Sequence, residues 1–114
     1  MDWKDFMAET EANLANFSKE VPQTVKGFGM MGQAAKTNGA LSEQTKELMA
    51  LGIAIATRCD SCIGFHVRAL VRLNTTREEL CEALAMATYM GGGPSYAYSA
   101  KALSAYDTFT QSAG

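Results

Sequence analysis

Apolar side chains in this chain recur every three or four positions, and no segment alternates apolar and polar residues between turn signals. That periodicity dictates helices and leaves nothing from which to build a sheet. Trp3, Phe6, Met7, Leu14 and Phe17 mark one face of a first helix that ends near Pro22. A second, shorter helix is expected between Gln23 and Thr37, weakened by Gly27, Gly29 and Gly32. Asn38-Gly39 is a turn signal. Ser42 is a good N-cap, with Glu43 well placed in the first turn of a third helix. That helix runs through Leu48, Met49, Leu51, Ile53 and Ile55. It is apolar nearly all round, so it should be buried on every side.

Arg58 to Ser61 interrupts the pattern, and a fourth helix is expected from about Ser61 to Leu73, with Asn74 as a left-handed cap. Thr76-Arg77-Glu78-Glu79 has the capping-box spacing. The fifth helix should carry Leu80, Ala83, Leu84, Ala87 and Met90 inward. Gly91-Gly92-Gly93-Pro94 ends it as a tight turn permitting close backbone approach. Pro94 suits the first turn of a sixth helix that continues to about Phe109. The expected fold is all-α, a bundle of about six helices.

A chain of 114 residues predicts one domain, 1–114. Hydrophobic residues make up 47%, which excludes intrinsic disorder, and charged residues only 19%, short of the usual ~25%. Too few charges to coat its own surface implies a homo-oligomer. A net charge of −2 gives no electrostatic case for nucleic acid or an anionic membrane. The longest apolar run, Leu48 to Ala56, falls short of the ~20 residues that span a bilayer. Met1-Asp2-Trp3-Lys4-Asp5 has no basic segment leading into an apolar one, so no signal peptide is read and a reducing, cytoplasmic compartment is expected.

In that compartment a cysteine pair is redox-active or metal-binding rather than structural. Cys59-Asp60-Ser61-Cys62 is a C-x-x-C at an expected helix start, where unpaired N–H groups and the macrodipole favour a thiolate. His66 is four residues after Cys62, on the same helical face, where an imidazole can take the thiol proton. Cys59, one turn earlier, can resolve an oxidised Cys62 as a disulfide. Glu47 either orients His66 from the apolar third helix or, with Lys46, marks that helix's one wet edge.

A zinc site of Cys59, Cys62 and His66 with Cys81 or Glu47 as the fourth ligand is the competing reading. Three ligands within about one helical turn strain tetrahedral closure, and no second C-x-x-C accompanies them. No metal and no cofactor is therefore expected. Cys81 reads as a packed small hydrophobe, and the methionines as adaptable core or interface packing.

The stretch from Glu47 through Cys59-Asp60-Ser61-Cys62-Ile63-Gly64-Phe65-His66, then Thr76-Arg77-Glu78-Glu79-Leu80 and Met90-Gly91-Gly92-Gly93-Pro94, resembles the carboxymuconolactone decarboxylase superfamily, and within it the AhpD-like branch, over roughly residues 41–105. The resemblance implies an all-α fold around a helical hairpin, assembled as a trimer or hexamer. It also implies a thiol-dependent peroxidase that reduces hydroperoxides with electrons from a dithiol or lipoyl-type protein. Cys62 is then the attacking thiolate, Cys59 the resolving cysteine, and His66 with Glu47 the proton relay. One position departs: the best-known members carry a second histidine where this chain has Ser61, and a hydroxyl is no base of similar strength. Decarboxylases of the superfamily act on a lactone and generally do without a cysteine pair. That activity, or a non-catalytic zinc-binding or structural module, is the alternative function.

Overall fold

Six helices form and no strand accompanies them among the described residues, which in this computed structural model are 1–113, with side chains described through 111. In chain order they are α1 (Trp3–Glu20), α2 (Pro22–Lys36), α3 (Glu43–Ala56), α4 (Asp60–Arg72), α5 (Arg77–Gly91) and α6 (Gly93–Ala113). The helices gather into two compact units, Met1–Glu43 and Gln44–Gly114, of which Gly114 lies outside the described residues. No helix among the described residues is long and apolar enough to cross a membrane.

In the first unit, Asp2 caps α1 by accepting the Asp5 N–H at 3.1 Å, and that bond holds its carboxyl below the ordinary value. Pro22 stands at the start of α2 rather than at the end of α1, because its fixed φ and missing N–H cost nothing in a first turn. Asn38, half of the expected turn, also accepts the Glu43 N–H at 2.6 Å and so supports the first turn of α3.

The second unit packs α6 against both α4 and α5. Its core is Leu51, Ala54 and Ile55 of α3, Ile63, Val67 and Leu70 of α4, Leu80 and Leu84 of α5, and Ala102, Ala105, Tyr106 and Phe109 of α6. Buried Thr75 ties the α4–α5 corner: its carbonyl accepts the Tyr106 hydroxyl at 2.8 Å and its hydroxyl accepts from Gln44 Nε2 at 3.0 Å. Asn74 takes the expected left-handed conformation, φ 60°. After α5, Gly92 has φ 76°, and a Cβ on Gly91 would overlap the Ser95 side chain, so this turn requires both glycines.

Two expectations change. Only one face of α3 is buried, that of Glu47, Leu51, Ala54 and Ile55, while Met49 and Ile53 are 55% and 64% exposed. A helix apolar all round needs cover all round, and a four-helix unit covers one side. The uncovered side borders a groove of about 560 Å³ shared with Met86 and Met90 of α5. Met90 therefore lies on the surface rather than inward, at 77% exposed. Of the seven methionines only Met7, in the first unit, is buried.

The Thr76 capping box forms with both of its hydrogen bonds, Glu79 N–H to Thr76 Oγ1 at 3.1 Å and Thr76 N–H to Glu79 Oε1 at 2.8 Å. The Thr76 N–H holds the Glu79 carboxyl below its ordinary value, and the Arg77 guanidinium does the same for Asp107. A carboxyl depressed in the folded state stabilises fully above its unfolded value, and that contribution disappears as pH falls through the folded one. Thr76→Ala is expected to cost about 1 kcal/mol in denaturant unfolding at neutral pH. Glu79→Gln should lose stability at neutral pH and narrow its gap to the parent protein in acid.

Candidate active site

The end of α3 and the start of α4 share residues, and that sharing positions the cysteines. Arg58 N–H bonds to Ile55 O at 3.1 Å and Cys59 N–H to Ala54 O at 3.0 Å, the paired bonds of a Schellman motif. The residue between must be left-handed, and Arg58 takes φ 56° where glycine is usual. The chain then turns at once into α4, so Cys59 closes one helix and is the N-cap of the next. Its extended backbone (φ −104°, ψ 99°) lets Sγ accept the Cys62 N–H at 3.3 Å, while the Ser61 hydroxyl lies 3.4 Å from the same sulfur. Cys59 and Cys62 form a disulfide, with Cα atoms 5.2 Å apart and both residues half-buried.

One turn further along α4, His66 meets Glu47 of α3: Nδ1 and Oε2 are 2.6 Å apart. The Glu47 side chain is 1% exposed and that of His66 28%. Glu47 is therefore no wet edge but a buried carboxyl, and a carboxylate on so apolar a helix face is tolerable only with a partner this close. An ionised Glu47 accepts from Nδ1–H, which leaves the Nε2 lone pair of His66 free to take a proton. Cys62 and His66, four residues apart, share one face of α4.

All four residues that the sequence singles out thus gather around the first two turns of α4: Cys59 and Cys62 bonded to each other, and His66 bonded to Glu47. Cys81 stands apart as a half-buried free thiol on α5, in a pocket of about 220 Å³ lined also by Leu84, Tyr96 and Ser99. Among the described residues, no three His, Cys, Asp or Glu side chains converge as a metal site.

The sequence gives no sign of two further residues. Arg58 carries no mark of its left-handed backbone. Lys101 of α6 holds both carboxylate oxygens of Asp60, at 3.0 and 3.2 Å, from 41 residues away.

Residues 22–105 match the family model described as the Carboxymuconolactone decarboxylase family, and the chain belongs to that family. In solved structures it is similar to a carboxymuconolactone decarboxylase family protein of Legionella pneumophila, with a TM-score of 0.91 and 48% identity over 94% of this chain and 96% of that one. It is also similar to a family protein of Thermotoga maritima for which an antioxidative role has been suggested, with a TM-score of 0.72 and 31% identity over 77% of this chain and 91% of that one. Among curated proteins, an uncharacterized protein of Cupriavidus necator is 35% identical over 93% of this chain and 94% of its own length.

Proposed function

We propose that this protein is a thiol-dependent hydroperoxide reductase of the AhpD-like kind, working through the Cys59–Cys62 pair. The observation that carries the reading is a C-x-x-C disulfide on the first turn of a helix whose next turn bears a histidine bonded to a buried glutamate.

In the reduced protein His66, oriented by Glu47, takes the proton of Cys62. The thiolate attacks the peroxide O–O bond, and the leaving alkoxide takes the proton back from His66 as the alcohol. Cys62 is left as a sulfenic acid. Cys59 displaces its hydroxyl, forming the disulfide and releasing water. One hydroperoxide and two thiols thus become one alcohol, one water and one disulfide. A dithiol or lipoyl-type reductant protein returns two electrons and two protons by disulfide exchange. When it attacks Cys62, Cys59 leaves as a thiolate that the Cys62 N–H and the Ser61 hydroxyl can stabilise. Ser61, which cannot act as a base, supports the leaving sulfur instead.

The same reading places the protein in a cytoplasmic, reducing compartment as a homo-oligomer, a trimer or hexamer. Exposed Met49, Ile53, Met86 and Met90 support the assembly. Light scattering that returned the mass of a single chain would overturn that part.

The function itself is tested by following hydroperoxide loss and dihydrolipoamide oxidation together. Stoichiometric consumption of the two by the parent protein, and none by a Cys59→Ser/Cys62→Ser double variant, is expected. A decarboxylation that uses only the His66–Glu47 pair would survive in that double variant, which separates the two chemistries of the family.

A further inference from the structure

Asp60 lies between the two cysteines in sequence and is the first residue of α4. A carboxylate in a first turn is drawn to the unpaired N–H groups there. One of those donors, the Cys62 N–H, is bonded to the Cys59 sulfur at 3.3 Å and is the one a Cys59 thiolate would use. A free Asp60 would therefore oppose the thiolate twice, by its charge and by competing for its hydrogen bonds.

The structure holds Asp60 otherwise. Lys101 Nζ binds both of its oxygens, at 3.0 and 3.2 Å, and the ammonium also lies 4.8 Å from the centroid of the Tyr98 ring, one turn back on α6. Both members of the pair are about two-thirds buried, so solvent screens them less than a surface pair. Arg58 is exposed in the α3–α4 connection, and the Glu47–His66 pair lies one turn along α4.

We propose that Lys101 is a positioning residue that sets the redox poise of the Cys59–Cys62 couple by neutralising and holding aside the Asp60 carboxylate. The proposal rests on the redox reading of the pair. In the exchange it governs, a small dithiol attacks the disulfide, the S–S bond breaks, and the dithiol is oxidised to its own disulfide. Its two electrons and two protons pass to Cys59 and Cys62. Lys101 favours the reduced side of this equilibrium because the charge it cancels would otherwise oppose a thiolate.

The test is the equilibrium of the full-length protein with dithiothreitol, together with the pH midpoint of cysteine alkylation. Lys101→Met should shift the equilibrium toward the disulfide by roughly three- to tenfold, tenfold being about 30 mV for a two-electron couple, and should move the alkylation midpoint to higher pH. Asp60→Asn should move both readouts the opposite way. The double variant and Lys101→Arg should each lie near the parent protein.

Opposite signs mark electrostatics, because loosening of the α4–α6 contact would displace both single variants in one direction. Shifts of the same sign, or none in a parent protein that cycles normally, would overturn the inference while sparing the redox reading. A parent pair that dithiothreitol cannot carry through the cycle would overturn both.

Discussion

Cys62→Ser is expected to bring hydroperoxide turnover to background, a fall of at least about 10³-fold, as loss of a nucleophile does elsewhere. Cys59→Ser is expected to fail differently. It keeps the thiol that shares a helix face with His66, so it should consume one equivalent of peroxide and stop with Cys62 as a sulfenic acid that a dimedone-type reagent can trap. The asymmetry follows from position on the helix. Cys62 has the imidazole one turn ahead of it, whereas Cys59 is the cap whose sulfur accepts the Cys62 N–H. If Cys59 were the attacking residue, the trapping pattern of the two variants would be exchanged.

His66→Gln is expected to lower turnover by about 10²-fold or more, the range of a lost general base. It should also move the alkylation of Cys62 to higher pH. Glutamine is the informative replacement because its amide can still donate to Glu47, which sits 1% exposed and would otherwise be left without a partner. Breaking a buried pair outright costs about 3–5 kcal/mol, an upper bound here because the His66 ring is partly open to solvent. Glu47→Gln removes the charge and keeps the shape. It should lower turnover in the same direction but by less, since His66 retains its place and loses only the carboxylate that orients its ring. Retained helical circular dichroism separates either result from unfolding. A parent-like alkylation curve in His66→Gln would count against the histidine as base.

Most of the architecture was legible from residue spacing. The periodicity calls all six helices, and the two sharpest local signals, the Thr76 capping box and left-handed Asn74, form as their side-chain chemistry requires. The Cys62–His66 register was equally open to reading, since four residues on a helix is a geometric statement. What stayed hidden depends on tertiary packing. Periodicity tells that Glu47 shares a face with Leu51 and Ile55. It does not tell what packs on that face, and only the contact with His66 across from α3 distinguishes a buried carboxyl from a wet edge.

Arg58 reads as an ordinary surface arginine, and only the hydrogen bonds of Ala54 and Ile55 reveal that it turns the chain between the two helices. The Asp60–Lys101 pair spans 41 residues and has no local signature. Met49 and Ile53 show the opposite failure. Their apolar character was plain, but whether an apolar face is covered within one chain is a property of the unit, not of the helix.

A working peroxide-reducing couple of Cys59 and Cys62 has a stoichiometry that can be read directly. The most direct measurement is the intact mass and thiol count of the fully reduced protein after one equivalent of a hydroperoxide, followed in time. The expected result is the loss of two hydrogens per chain and of two of the three alkylatable thiols, Cys81 alone remaining, at a rate well above that of a free cysteine. Three thiols still alkylatable, or a rate no faster than free cysteine, would contradict it.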